Sequence, residues 1–152
     1  MFLFFLLPSC KECLECHQFN IEPFVKVKFF DNAGVALPIF LDTLMGFEGD
    51  SVLTYKDLLP KNVKAGSEFN FPLNQNTDSS KYYVHYRLVS DTTVREIDTF
   101  SISYSRETFL ENNKIKFRLK DLDTLNHTFD SLFVRCGTSD CLNSNASIEI
   151  YK

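Results

Sequence analysis

The strongest constraint on this chain is a two-residue alternation of apolar and polar side chains that recurs in short segments set off by turn residues. Val25, Val27 and Phe29 alternate with Lys26 and Lys28. Successive side chains of an extended chain point to opposite faces, so a half-buried strand satisfies that order and a helix does not. Asp31-Asn32-Ala33-Gly34 follows at once and supplies a turn. Comparable segments predict strands over residues 35–41, 68–73, 81–90, 97–104, 114–119, 131–136 and 147–151, about eight in all. The joins, such as 74–80 and Glu111-Asn112-Asn113, are rich in polar side chains that satisfy turning backbone. The best helical stretch, 55–63, is interrupted by Pro60, which limits it to a turn of helix.

Many short strands without intervening helices predict an all-β fold, an antiparallel β-sandwich of the immunoglobulin-like Greek-key kind, with a small β-barrel as the alternative. The 152 residues suit one domain, and sixteen phenylalanines and six tyrosines supply the aromatic side chains that strands favour. No internal repeat interrupts this reading. The formal charge of -4 comes without a basic stripe, which argues against nucleic acid as partner and against electrostatic docking to anionic lipid.

The N-terminus carries a different signal. Met1-Phe-Leu-Phe-Phe-Leu-Leu-Pro-Ser-Cys10 is an apolar run that ends in a small residue and a cysteine, and it shows none of the alternation of a strand. It reads as a lipoprotein signal over residues 1–9, with Cys10 as the acylation site, a cysteine-bearing tether over 10–23 and the β domain over 24–152. No Lys or Arg precedes the run, so Met1 reads as an internal methionine of a longer signal. The run is far shorter than the roughly 18 apolar residues that span a bilayer, so the expected membrane attachment is a lipid anchor. The five cysteines fit this address. Lipidation of Cys10 leaves Cys13, Cys16, Cys136 and Cys141, which can form two disulfides in an oxidising compartment, with all three pairings open.

Sharper chemistry was sought in the same residues. Cys13-Leu14-Glu15-Cys16-His17 matches the C-x-x-C-H pattern of covalent haem attachment, so a c-type haem electron-transfer protein is the alternative function. Met45, His85 and His127 would be its candidate second axial ligands. Cys13, Cys16 and His17 with Cys136 or Cys141 also make a zinc set, disfavoured where disulfides form. His85 shares a predicted strand face with Tyr83 and Arg87, opposite Tyr82, Val84, Tyr86 and Leu88, and reads as the polar side of a strand rather than a catalytic base. No serine has a nucleophile-elbow context. Asp121-Leu122-Asp123 lacks the ligand-rich loop of a specific calcium site. Tyr83 and Arg87 are candidate interface residues, for which ordinary cross-strand pairing is the simpler account. No catalytic residue, metal or cofactor is expected.

Several stretches resemble the small lipoproteins of unknown function found in Bacteroidota. They are Cys10-Lys11-Glu12-Cys13, the strand over 23–30, Pro72-Leu73-Asn74, Asp98-Thr99-Phe100-Ser101-Ile102-Ser103-Tyr104, and Cys136-Gly137 after an apolar strand. Asp42-Thr43-Leu44, Asp50-Ser51-Val52, Asp91-Thr92-Thr93, Asp123-Thr124-Leu125 and Asp130-Ser131-Leu132 are similar to that group's O-glycosylation pattern, and Lys11-Glu12 with Glu15 is similar to its surface-export signal. The resemblance implies an outer-membrane lipoprotein facing the periplasm or the cell surface. It implies a non-catalytic binding or structural module with an envelope protein or glycan as ligand, and it brings no catalytic residues.

Overall fold

The computed structural model describes residues 24–48, 51–54, 65–74, 77–111, 114–136 and 146–152. Among them are nine strands and no helix: β1 (Phe24–Phe30), β2 (Ile39–Glu48), β3 (Ser51–Thr54), β4 (Glu68–Pro72), β5 (Ser79–Leu88), β6 (Asp91–Glu111), β7 (Lys114–His127), β8 (Ser131–Cys136) and β9 (Ala146–Tyr151). They form a four-stranded sheet ordered β4-β1-β9-β8 and a five-stranded sheet ordered β3-β2-β5-β6-β7. The signal over 1–9, the tether over 10–23 and the expected turn of helix over 55–63 lie outside the described residues.

Alternation builds the interior. Val25, Val27 and Phe29 of β1, Phe71 of β4, and Ile148 and Ile150 of β9 face Ile39, Leu41 and Leu44 of β2, Tyr82, Val84 and Tyr86 of β5, and Phe100 and Ile102 of β6. Burying each such side chain contributes about 1.5–3 kcal/mol. Rings mesh across the gap, with Phe71 and Tyr82 centroids 5.5 Å apart and Phe29 and Tyr86 5.8 Å, and Tyr82 packs on its neighbour Phe100 within the five-stranded sheet at 4.9 Å. Tyrosines reach this depth because their hydroxyls find acceptors: Tyr82 donates to the Pro72 carbonyl at 2.6 Å and Tyr104 to the Asn74 carbonyl at 2.7 Å.

The two layers are the β-sandwich expected from the pattern rather than a closed barrel. The chain passes from one sheet to the other between β1 and β2, β3 and β4, β4 and β5, and β7 and β8. One pairing departs from the antiparallel rule. β1 and β9 run parallel, with Val27 opposite Ile148 and Phe29 opposite Ile150, while every other pair of named strands is antiparallel. Parallel neighbours need a long connection, and the first and last strands have most of the chain between them.

Several boundaries differ from the sequence reading, and β3 was not among the expected strands. Residues 35–38 form a connector carrying an exposed Val35, and the strand begins only after Pro38, which has no N–H to donate. β2 then runs past Leu41 through a bulge, so that Leu41 and Leu44 are both buried and the period of two is lost between them. β6 and β7 are longer than expected, and their pairing shifts register between Ser101 and Ile102 and again between Ser103 and Ser105, with the extra residue on β7 each time. At the second shift Asp121 takes a φ of 53°, a left-handed conformation that aspartate tolerates better than most side chains, and it accepts a hydrogen bond from the Ser105 hydroxyl at 2.7 Å. The turn expected at Asp31 to Gly34 is present: Gly34 has a φ of 78°, and the Asp31 carboxylate accepts from the amides of Ala33 and Val35.

Candidate functional site

The outward rows of the five-stranded sheet gather the most chemically distinctive exposed side chains. On β5 the inward positions Tyr82, Val84 and Tyr86 are fully buried, so Lys81, Tyr83, His85 and Arg87 point away from the core. Register brings β2 partners beside them: Phe47 opposite Lys81, Met45 opposite Tyr83, Thr43 opposite His85 and Phe40 opposite Arg87. On the other side β6 sets Ser101, Thr99 and Ile97 opposite Lys81, Tyr83 and His85.

Phe47 and Tyr83 lie with ring centroids 4.8 Å apart, and the Lys81 ammonium sits 5.7 Å from one ring and 5.6 Å from the other. At the opposite end of the row, Arg87 covers the Phe40 ring at 5.5 Å and grips Asp42 through two hydrogen bonds of 2.8 and 2.7 Å. The Arg95 guanidinium lies 3.7 Å from the same carboxylate. The Arg87 hydrogen bond is the main reason that the Asp42 carboxyl stays below its ordinary range; burial opposes it, and the charges of Arg87, Arg95 and His85 add to it. Tyr83 and Arg87 therefore make the cross-strand pairs expected of them, and those pairs assemble a continuous aromatic and cationic strip.

A second cluster is buried at one end of the sandwich. Asp98 of β6 keeps only 6% of its surface. Its Oδ2 accepts hydrogen bonds from the Tyr86 hydroxyl at 2.8 Å and the Lys152 ammonium at 3.0 Å, and its Oδ1 accepts from the Thr128 hydroxyl at 2.7 Å. Burial raises the Asp98 pKa, but the bonds from Thr128, Lys152 and Tyr86 outweigh it and hold the carboxyl below its ordinary value. Tyr86 moves the other way, raised by burial and then by its bond to Asp98. Lys152 loses some basicity to burial and gains more from Asp98, so it stays charged above the usual lysine range. Both oxygens of Asp98 are engaged, and the cluster ties β5, β6, the β7–β8 corner and the end of β9 together.

Other expected positions are scattered. Met45 and His85 lie on the outer face, whereas His127 sits at the end of β7 with its Nδ1 3.0 Å from the Phe129 carbonyl. Cys136 ends β8 opposite Ala146. Cys10, Cys13, Cys16, His17 and Cys141 lie outside the described residues, and with them the lipidation, haem and zinc sets. Among the described residues no three His, Cys, Asp or Glu side chains group as metal ligands. Asp121 and Asp123 are exposed and bonded locally, to Ser105 and to the Thr124 amide. Of the Asp-Ser/Thr triplets, Thr92 is exposed, while Thr43, Thr124 and Ser131 are partly buried.

The sequence reading missed the roles of Asp42, Phe47, Lys81 and Asp98. Asp98 did carry a signal, since it stands in the same alternating row as the buried Phe100, Ile102 and Tyr104. Asp42 carried none, because its partner Arg87 is 45 residues away. No family model matches the chain, and neither a curated protein nor a solved structure shows significant similarity to it.

Proposed function

We propose that this chain is a lipid-anchored, extracytoplasmic binding module of the cell envelope, tethered through Cys10, non-catalytic, and engaging its ligand with the outer face of the five-stranded sheet. The observation that carries the binding role is the Phe47–Tyr83 pair with Lys81 over both rings. Aromatic rings flanked by cations are favoured where surfaces recognise partners. The anchor rests on the apolar run ending in Ser9-Cys10. In this reading Cys136 belongs to a disulfide, with Cys13, Cys16 and Cys141 supplying the other thiols.

Metabolic labelling with an alkyne fatty acid in a bacterial host tests the anchor. Wild-type chain takes up the label and Cys10→Ala does not; label persisting on the variant removes the assignment. Cys13-Leu14-Glu15-Cys16-His17 supports one competing reading, a c-type haem protein. A Soret band at one haem per chain, after expression with haem-maturation machinery, would replace the binding module by that reading.

A further inference from the structure

We infer that the outer face of the five-stranded sheet takes an anionic oligosaccharide, one whose sugar rings carry carboxylates. The inference deepens the binding reading above and rests on it. Three features of the face specify the ligand class.

The first is charge. Around the aromatic strip on β2, β5 and the adjoining part of β6, Lys81, Arg87 and Arg95 stand with the carboxylate of Asp42, while Glu107 lies farther along β6 and is paired with Lys120. This local excess of positive charge sits on a chain whose formal charge is -4. Arg87 is held to Asp42 by two hydrogen bonds, whereas Arg95 only approaches that carboxylate, at 3.7 Å, and is 67% exposed, so Lys81 and Arg95 are the cations that can turn to a ligand.

The second is shape and surface chemistry. Phe47 and Tyr83 present ring area to a flat, open sheet face, and the C–H side of a pyranose stacks on such rings. Thr99 and Ser101 stand in the adjacent β6 row, opposite Tyr83 and Lys81, where hydroxyls can exchange hydrogen bonds with those of a sugar. Lys81 and Arg87 are six residues apart on β5, about 20 Å at ~3.3 Å per residue. Arg95 stands at the Arg87 end, through its approach to Asp42. Cations at both ends of a strip that long match a ligand with repeated charges, and a monosaccharide reaches only one of them.

The third is the backbone. β2, β5 and β6 hydrogen-bond to one another, so the face offers no free amide or carbonyl row to a docking peptide. An acidic peptide lying there would gain none of the main-chain hydrogen bonds that give affinity when a peptide adds to a sheet edge. An oligosaccharide has no such requirement, because its hydroxyls stay hydrated on the outward side.

Titration calorimetry on the mature chain at low salt, with alginate and polygalacturonate oligosaccharides as probes, tests this. At least one acidic probe is expected to bind at least tenfold more tightly than a neutral glucan of equal length, and to weaken as salt rises. Lys81→Glu and Arg95→Glu, both exposed and outside the core, should each lower that affinity at least tenfold with an unchanged thermal midpoint, and Tyr83→Ala should lower it too. Equal or tighter binding of the neutral glucan, of polyglutamate or of a single-stranded oligonucleotide overturns the acidic-sugar class. If that binding is lost in Tyr83→Ala, the face survives as a binding surface and only the ligand class fails. Acidic binding unaffected by all three variants moves the site off this face, and no binding to any probe at millimolar concentration overturns both the ligand class and the assignment of this face.

Discussion

Asp98 carries more of the architecture than any other polar residue described, because three donors from three parts of the chain converge on one buried carboxylate. Asp98→Asn keeps the shape and removes the charge, leaving Lys152 only the more distant Glu96 carboxylate, at 3.7 Å. Such a loss costs about 1–3 kcal/mol, read as a lower urea midpoint. The pH dependence has a definite sign. The Asp98 pKa is depressed in the fold, so its contribution is present above the unfolded aspartate value of about 3.9 and is lost as pH falls through the lower folded value. The Lys152 pKa is raised, so its contribution is present below the unfolded lysine value of about 10.4 and is lost as pH rises through the higher folded value. Wild-type stability should therefore show a plateau from about pH 5 to about pH 9 with an acid limb, and Asp98→Asn should flatten that limb. An acid limb of unchanged slope in the variant would assign it to other carboxylates, with Asp42 the next candidate.

At the scale of the element, the β6–β7 hairpin is not uniform. β5 pairs with β6 only as far as Ser79 opposite Ser103, while β6 continues against β7 from Ser105 opposite Lys120 to Glu111 opposite Lys114. Beyond Ser105 no third described strand joins the pair, and two-stranded ribbons have little stability of their own. Hydrogen exchange should show the amides of 106–110 exchanging at least tenfold faster than those of 98–102; equal protection would mean that the ribbon is held by further contacts. The same element shows where pattern reading runs out. The row from Asp98 to Tyr104 was legible because its alternation is unbroken. The continuation was not, because Ser105-Arg106-Glu107-Thr108 are all polar; on β7 two extra residues displace the apolar positions, as a bulge does in β2 after Leu41.

For the whole molecule, the parallel pairing of β1 with β9 closes the domain by joining strands from its two ends. β9 is interior to its sheet, flanked by β1 and β8, and contributes the fully buried Ile148 and Ile150. Removing residues 146–152 should abolish cooperative unfolding altogether, seen by circular dichroism and denaturant titration, since it takes away the core of one sheet and the Lys152 partner of Asp98 together. A truncated chain that still unfolds cooperatively would show that β4, β1 and β8 reorganise without it. Pairing across most of the sequence also raises contact order, which slows folding.

What the sequence determined by itself is whatever depends on neighbours along the chain: the all-β class, the inward rows of most strands and the turn at Asp31 to Gly34. Period-two burial and turn chemistry are local, so they are readable residue by residue. Only the tertiary structure decided that Arg87 meets Asp42, that Lys81 lies over Phe47 and Tyr83, that Asp98 meets Thr128 and Lys152, and that β1 runs parallel to β9. These depend on register and sheet order. Both are set by the packing of the two sheets as a unit, and neither leaves a mark in any short stretch of sequence.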